Sequence, residues 1–243
     1  MQYIGGKNGC GDIVRIINEL LPTNGSYWEP FVGAGRIIQN VKCKKRYGSD
    51  LHEPIIKLLR SVQEGWLPPS KVSEEEYKKW MKKKDESHPM VGFCGHGLSF
   101  GGRFFQGYAR NAEEWCYASS ARCSLLAQKP FLAGVDLRVR DYLSGFWKDF
   151  QPSLIYCDPP YIGTKPVGGE TSFCHESFWN WCVEQHRKGS LVLVSEYTKP
   201  NVPVSVVWQK TMQRKLRSKD SSVKTEYLFS LDVGTKRKVG FGL

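Results

Sequence analysis

The stretch LIYCDPPY (154–161) sets an acid, two prolines and a phenol ring at the end of an apolar run. If LIYC is a strand of a parallel sheet, Asp158 emerges beyond its carboxyl end, where such sheets place their ligands. Pro159 and Pro160 fix φ, and neither can donate a backbone hydrogen bond. The corner is then stiff, with the Asp158 carboxylate and the Pro159 carbonyl as neighbouring acceptors and Tyr161 as a flat ring beside them. Two acceptors and a stacking ring suit an exocyclic amine on a planar base. The lone pair of adenine N6 is delocalised into its ring, which makes it a poor nucleophile. Accepting both N–H hydrogens favours a pyramidal nitrogen whose lone pair can meet an electrophile. Placing that nitrogen in line with an activated methyl group is a matter of positioning and electrostatics, and needs no metal. Asp-Pro is also common in plain turns; the company of two further motifs favours the chemical reading.

The first of these is EPFVGAG (29–35), which follows a strand-like run and precedes IIQNV, a possible helix start. Gly33 and Gly35 permit a tight turn and close approach of a ligand, whose polar groups could meet helix N-terminal N–H donors. It is not GxGxxG, so no dinucleotide is specified, and a turn without a ligand fits it equally well. The second is Asp50 in YGSDLH, at the end of the next strand-like run. Such an acid can hold ribose hydroxyls or simply cap a helix. YIGGKNG near the start does not match a phosphate loop, although its lysine could meet a carboxylate or phosphate.

The elements that position these motifs are strands alternating with helices. Strand-like runs fall at Tyr27–Val32 within SYWEPFV, 46–51 (RYGSDL), 131–137 (FLAGVDL), 153–157 (SLIYC), 190–195 (SLVLVS), 202–208 and 225–231. SLVLVS is continuously apolar, as in a strand buried on both faces. The alternation predicts an α/β, doubly wound, mostly parallel sheet. The last two runs lack helical periodicity between them, so an antiparallel hairpin is expected to finish the sheet. Residues 62–130 break the rhythm and read as an insertion. They hold a charged helix, EEEYKKWMKKK, with Glu74–Lys78 and Glu75–Lys79 at i,i+4 spacing. They also hold GFCGHGLSFGGRFFQGYAR (92–110), where Phe100, Phe104, Phe105 and Tyr108 offer rings and Arg103 and Arg110 offer guanidinium groups. Contact with nucleic acid and a loop folded over its own small core are both open for this segment.

A formal net charge of +11 favours a polyanionic partner. Eight Trp, eleven Tyr and twelve Phe add rings that could stack on exposed bases. The cysteines at positions 10, 43, 94, 116, 123, 157, 174 and 182 form no CxxC pair, which argues against zinc and for reduced thiols. No run of about 18 apolar residues is present, and MQYIGGKNGCGD has no apolar signal region, so a non-secreted chain without a membrane span is expected.

In order, YIGGK, EPFVGAG, YGSD and DPPY resemble the amino-group DNA methyltransferases of the Dam type, the D12 class, and in particular their compact phage-like members. The resemblance spans most of the chain. It implies a Rossmann-like methyltransferase core (1–61 and 131–243) that binds S-adenosylmethionine, with an inserted target-recognition region (62–130). Tyr3 and Lys7 match the N-terminal motif near the methionine end of the cofactor, with Lys7 a partner for its carboxylate. Phe31, Val32, Gly33, Ala34 and Gly35 match the cofactor loop, and Asp50 the ribose-binding acid. Asp141, with Tyr142 beside it, matches the position that contacts the adenine amine of the cofactor. Asp158, Pro159, Pro160 and Tyr161 match the catalytic motif. The insertion lacks the RYN…G.FN string of the GATC-specific members, so adenine is better supported as target than any recognition sequence.

The resemblance further implies double-stranded DNA as partner, a flipped-out adenine, a monomer, no metal and a cytoplasmic setting in a bacterium or phage-infected host. Arg103, Phe104, Phe105 and Arg110, with Lys215 and Arg217 in KTMQRKLRSK (210–219), are the expected DNA-contacting residues; a solvated hairpin fits the second patch equally. An RNA amino-group methyltransferase acting on guanine N2 or adenine N6, and a catalytically inactive DNA-binding relative, are the rival readings.

Overall fold

The computed structural model describes residues 1–3, 6–7, 9–83, 85–110, 116–144, 151–163, 173–214 and 222–232. In chain order its main elements are α1 (Gly11–Leu20), β1 (Ser26–Glu29), β2 (Lys45–Asp50), α2 (Glu53–Gln63), α3 (Glu74–Lys83), α4 (Pro89–Gly92), α5 (Tyr117–Leu132), β3 (Val135–Val139), β4 (Leu154–Cys157), α6 (His175–Arg187), β5 (Leu191–Glu196), β6 (Val204–Arg214) and β7 (Ser222–Leu231). The strands form one sheet in the order β3-β2-β1-β4-β5-β7-β6. The first five run parallel, and β7 lies antiparallel to both β5 and β6. The chain winds outward from β1 through β2 to β3, then crosses to β4 on the other side of β1. The crevice between β1 and β4 is therefore the topological switch point, where open α/β sheets bind ligands.

The two-residue period of the strands divides the core. Tyr27, Leu154, Tyr156, Leu193 and Leu228 join one cluster with Ile13 and Ile17 of α1, Ile55 and Leu59 of α2 and Leu125 of α5. Trp28, Ile155, Cys157, Val192, Val194 and Phe229 join the other with Phe178, Trp181 and Cys182 of α6. Each large side chain fully removed from water contributes roughly 1.5–3 kcal/mol. The polar atoms of Trp28 and Tyr156 are satisfied: Trp28 Nε1 donates to Ser49 Oγ at 3.0 Å, and the Tyr156 and Ser195 hydroxyls meet at 2.9 Å.

Several boundaries differ from the sequence expectation; β1, expected to reach Val32, ends at Glu29. Phe131 and Leu132 end α5, and strand β3 begins only at Val135, because the helix continues through Pro130 before a turn at Gly134, φ +73°. After the glycine turn, Ile38–Asn40 makes one short 3₁₀ turn where a helix start was expected. The closing hairpin is antiparallel as expected, and longer, with its strands reaching Arg214 and starting at Ser222.

Between β2 and β3, described residues of the segment 64–110 pack directly on the core. Tyr77, Phe93, Cys94 and Leu98 belong to the same cluster as α2. Gly92 lets α4 lie against α2: a Cβ there would sit 2.2 Å from the Pro54 carbonyl oxygen. Glu74 and Lys78 form the i,i+4 ion pair at 2.8 Å. Among the described residues, no helix is long and apolar enough to cross a membrane.

Candidate active site

Four acids mark the carboxyl ends of the central strands: Glu29 ends β1, Asp50 ends β2, Asp158 follows β4 and Glu196 ends β5. Parallel strands of matched register deliver all four to one edge of the sheet. Burial is the largest influence on each, and it pushes all four carboxyls above their ordinary range. At Asp158 the nearby Lys7 ammonium offsets part of this.

The glycine turn leaves β1 and is tied down on three sides. Asp50 Oδ2 accepts from the Gly33 N–H and Oδ1 from the His52 N–H, both at 2.9 Å. Gln128 of α5 donates to the Ala34 carbonyl at 2.8 Å. Gly33 has φ +47°, and a Cβ on it would lie 3.0 Å from the Tyr3 ring. Tyr3 thus sits over the turn, and Asp50 braces the turn through Oδ2 while Oδ1 holds the start of α2. Phe31 packs inward on Tyr142, centroids 5.2 Å apart, and on Phe178 at 5.6 Å. Tyr142 is buried in that same cluster. Asp141 Oδ1 accepts from the Leu143 N–H at 2.9 Å. The turns carrying Asp50 and Asp141 are neighbours, since the Arg140 N–H donates to the Asp50 carbonyl at 3.0 Å. Leu51 and Leu143, on those turns, are 58% and 56% exposed, which sequence reading missed.

A glycine cradle, two strand-end carboxylates and two exposed leucines fit a nucleoside with hydroxyl and amine donors and an apolar face. These groups fit the nucleoside part of S-adenosylmethionine, which Asp50, Asp141, Leu51 and Leu143 could hold through carboxylate acceptors and an apolar face. Lys7, expected as a partner for the cofactor carboxylate, is engaged by three protein groups. Its ammonium contacts Glu226 of β7 and the Tyr161 hydroxyl, and lies 3.1 Å from Asp158 Oδ1.

The DPPY corner follows β4, with the Asp158 side chain 17% exposed. The Tyr161 hydroxyl donates to Asp158 Oδ1 at 2.8 Å and lies 2.9 Å from Glu226 Oε1. It is thus the hydroxyl of Tyr161 that meets Asp158; its ring faces the Lys7 ammonium at 4.8 Å and the edge of Tyr197 at 4.5 Å. Both contacts to Asp158 fall on Oδ1, which leaves Oδ2 without a hydrogen-bond partner among the described residues. Pro159 is buried and Pro160 partly so. Glu196 fastens the corner, accepting from the Ile162 N–H at 3.2 Å and the Tyr197 N–H at 2.7 Å. Neither Glu196 nor Glu226 was foreseen.

Of the expected DNA-contacting residues, Arg103 is exposed. Phe104 packs inward between His52 and His96, at 4.6 and 5.0 Å, and Phe105 against Tyr77 at 5.3 Å. Arg110 is paired with Glu74. Phe100, beside Arg103, is 69% exposed and is the ring this segment presents to solvent. Lys215 and Arg217 lie outside the described residues.

Residues 3–89 match the model of the D12 class N6 adenine-specific DNA methyltransferase family. The match covers the N-terminal motif, the glycine turn and Asp50, and stops short of DPPY. The chain is similar to the DNA adenine methylases of Escherichia coli K12 and O157:H7, 24% identical to each over 98% of its own length and 91% of theirs. Among solved structures it overlaps an rRNA methylase from Streptococcus thermophilus with a TM-score of 0.37 and 10% identity, covering 93% of this chain and 99% of that one. The glycine turn and the strand-end acid thus lie inside the match to the D12 class model, and the DPPY corner lies within the full-length similarity to the DNA adenine methylases.

Proposed function

We infer that this protein transfers a methyl group from S-adenosylmethionine to N6 of a flipped-out adenine in double-stranded DNA. The observation that carries the reading is the placement of the glycine turn of β1 and the DPPY corner of β4 on adjacent strands at the switch point of the sheet. The bound cofactor supplies a sulfonium methyl as electrophile. Phe31 to Gly35 with Asp50 and Asp141 form its seat. Asp158, through Oδ2, and the Pro159 carbonyl accept the two N6 hydrogens and orient the nitrogen lone pair.

Adenine N6 is buried in duplex DNA, so the base must leave the stack, at a cost of a few kcal/mol. Residues 62–130 are assigned as the target-recognition region, with α5 doubling as the crossover into β3. Phe100 and Arg103 are its exposed ring and guanidinium, and the +11 charge supplies phosphate attraction. Asp158→Ala should lower methyl transfer to duplex DNA by at least about 100-fold. Cofactor affinity by calorimetry should be largely kept. Transfer at near wild-type rate by the variant would refute the assignment of Asp158. Duplex DNA and structured RNA offered together with labelled methyl donor separate this reading from RNA modification.

A further inference from the structure

The contacts around Tyr161 raise a question of proton count. Its hydroxyl has one hydrogen, yet two carboxylate oxygens lie within hydrogen-bond distance, Asp158 Oδ1 at 2.8 Å and Glu226 Oε1 at 2.9 Å. The hydroxyl can donate to only one of them. Both contacts become hydrogen bonds when one of the two carboxyls is itself protonated and donates to the phenol oxygen. Lys7 touches all three groups. With both acids ionised, the cluster of Lys7, Asp158, Tyr161 and Glu226 carries a net charge of minus one, in a site where Glu226 is 8% exposed. It is one proton short of neutrality and of a complete hydrogen-bond set.

Methylation of an exocyclic amine releases one proton beside Asp158. We propose that the Asp158–Tyr161–Glu226 chain takes up this proton, with Glu226 as its terminal acceptor and Lys7 holding the three oxygens in register. This rests on the reading of the reaction given above. The carbon–sulfur bond breaks with its electron pair left on sulfur, and the N6 lone pair forms the new carbon–nitrogen bond. One N–H bond then breaks with its pair left on nitrogen, and its proton goes to Asp158. Asp158 passes a proton to the Tyr161 oxygen as the Tyr161 hydrogen moves to Glu226. Asp158 is returned ionised, ready for the next amine, and Glu226 releases its proton to solvent. Glu226 acts through Tyr161 and does not touch the base. Glu29, Glu196 and Tyr156 also face Asp158 electrostatically, and the negative charge of Glu226 itself raises the Asp158 carboxyl.

Two measurements on the full chain test this. In the first, turnover of duplex DNA is followed for wild type, Glu226→Gln and Tyr161→Phe. Both variants should lose about 10- to 100-fold in kcat with KM for DNA and cofactor within about 3-fold of wild type. Added formate, acetate or imidazole should restore the rate of Glu226→Gln in order of buffer basicity. In the second, carboxyl carbon resonances of the protein alone are titrated. Asp158 should titrate at lower pH in Glu226→Gln, from which a negative neighbour is gone, and at higher pH in Tyr161→Phe, which lacks the stabilising donor. Wild-type turnover that is unchanged in Glu226→Gln, or a loss that no buffer restores, overturns the relay. An Asp158 titration that moves in neither variant overturns the coupling. If wild type itself transfers no methyl to DNA, it is the reading of the reaction that fails.

Discussion

Glu196 and Glu226 hold the reactive corner from behind, and neither announces itself in the sequence. Glu196 closes an apolar strand in LVLVSE, and Glu226 sits in an alternating run, KTEYLFS, that reads as the outer face of a hairpin. Their meaning comes from partners distant in the chain: Lys7 meets Glu226 across 219 positions. Asp158 was legible because the prolines beside it restrict the chain locally. Phe104 and Phe105 were less legible, since contact with nucleic acid and a loop packed on itself were both open. Rings interleaved with glycine and arginine suggested a recognition loop, but a Cβ on Gly95 would lie 2.3 Å from the Phe104 ring. That glycine serves inward packing. Glu196→Gln replaces one of two acceptor oxygens with a donor facing backbone N–H groups. It should destabilise the fold by about 1–3 kcal/mol in urea unfolding and lower kcat about 10-fold through a loosened corner. A variant matching wild type in both respects would show that Glu196 does not hold the loop.

The strands were legible in kind and order because their apolar period is two and their ends carry acids and glycines. Their boundaries were less so, since Phe131 and Leu132 suit a helix end and a strand start equally. The joint between the β2–α2 turn and the glycine-rich segment was not legible at all. There His52 Nε2 and His96 Nε2 lie 2.9 Å apart, and His96 Nδ1 is 3.2 Å from the Gly102 carbonyl. Burial lowers His52 to about 4, and burial with the neighbouring His52 lowers His96 to about 3. The unfolded chain takes up these protons below about pH 6.5, while the folded one refuses them. The stability owed to the pair is complete above that pH and drains away as pH falls toward the folded values. The four raised strand-end carboxyls act in the opposite sense, because the folded state keeps their protons to higher pH. A comparison with His96→Leu cancels them. The stability advantage of wild type over this variant should shrink between about pH 7 and about pH 5. An advantage constant over that range would show that the histidine pair does not titrate with folding.

At the scale of the whole molecule, one sheet brings together groups from both ends of the chain. The N-terminal Lys7, the glycine turn after β1, the corner after β4 and Glu226 of β7 converge on one edge because β1, β4, β5 and β7 are successive neighbours. The doubly wound class followed from strand–helix alternation, and the switch-point location followed from that class. What the sequence concealed is how closely residues 92–102 pack on the core, Gly92 against α2 and His96 against the Tyr3 ring, since their glycines read as open loop. The central claim is that this edge presents an adenine amine to a methyl donor. The most direct measurement is to incubate the intact protein with unmethylated duplex DNA and methyl-labelled S-adenosylmethionine, digest the DNA, and identify the labelled nucleoside by mass spectrometry. Label in N6-methyldeoxyadenosine is the predicted result. Label in a methylated cytosine, or in RNA alone when both nucleic acids are supplied, would contradict it.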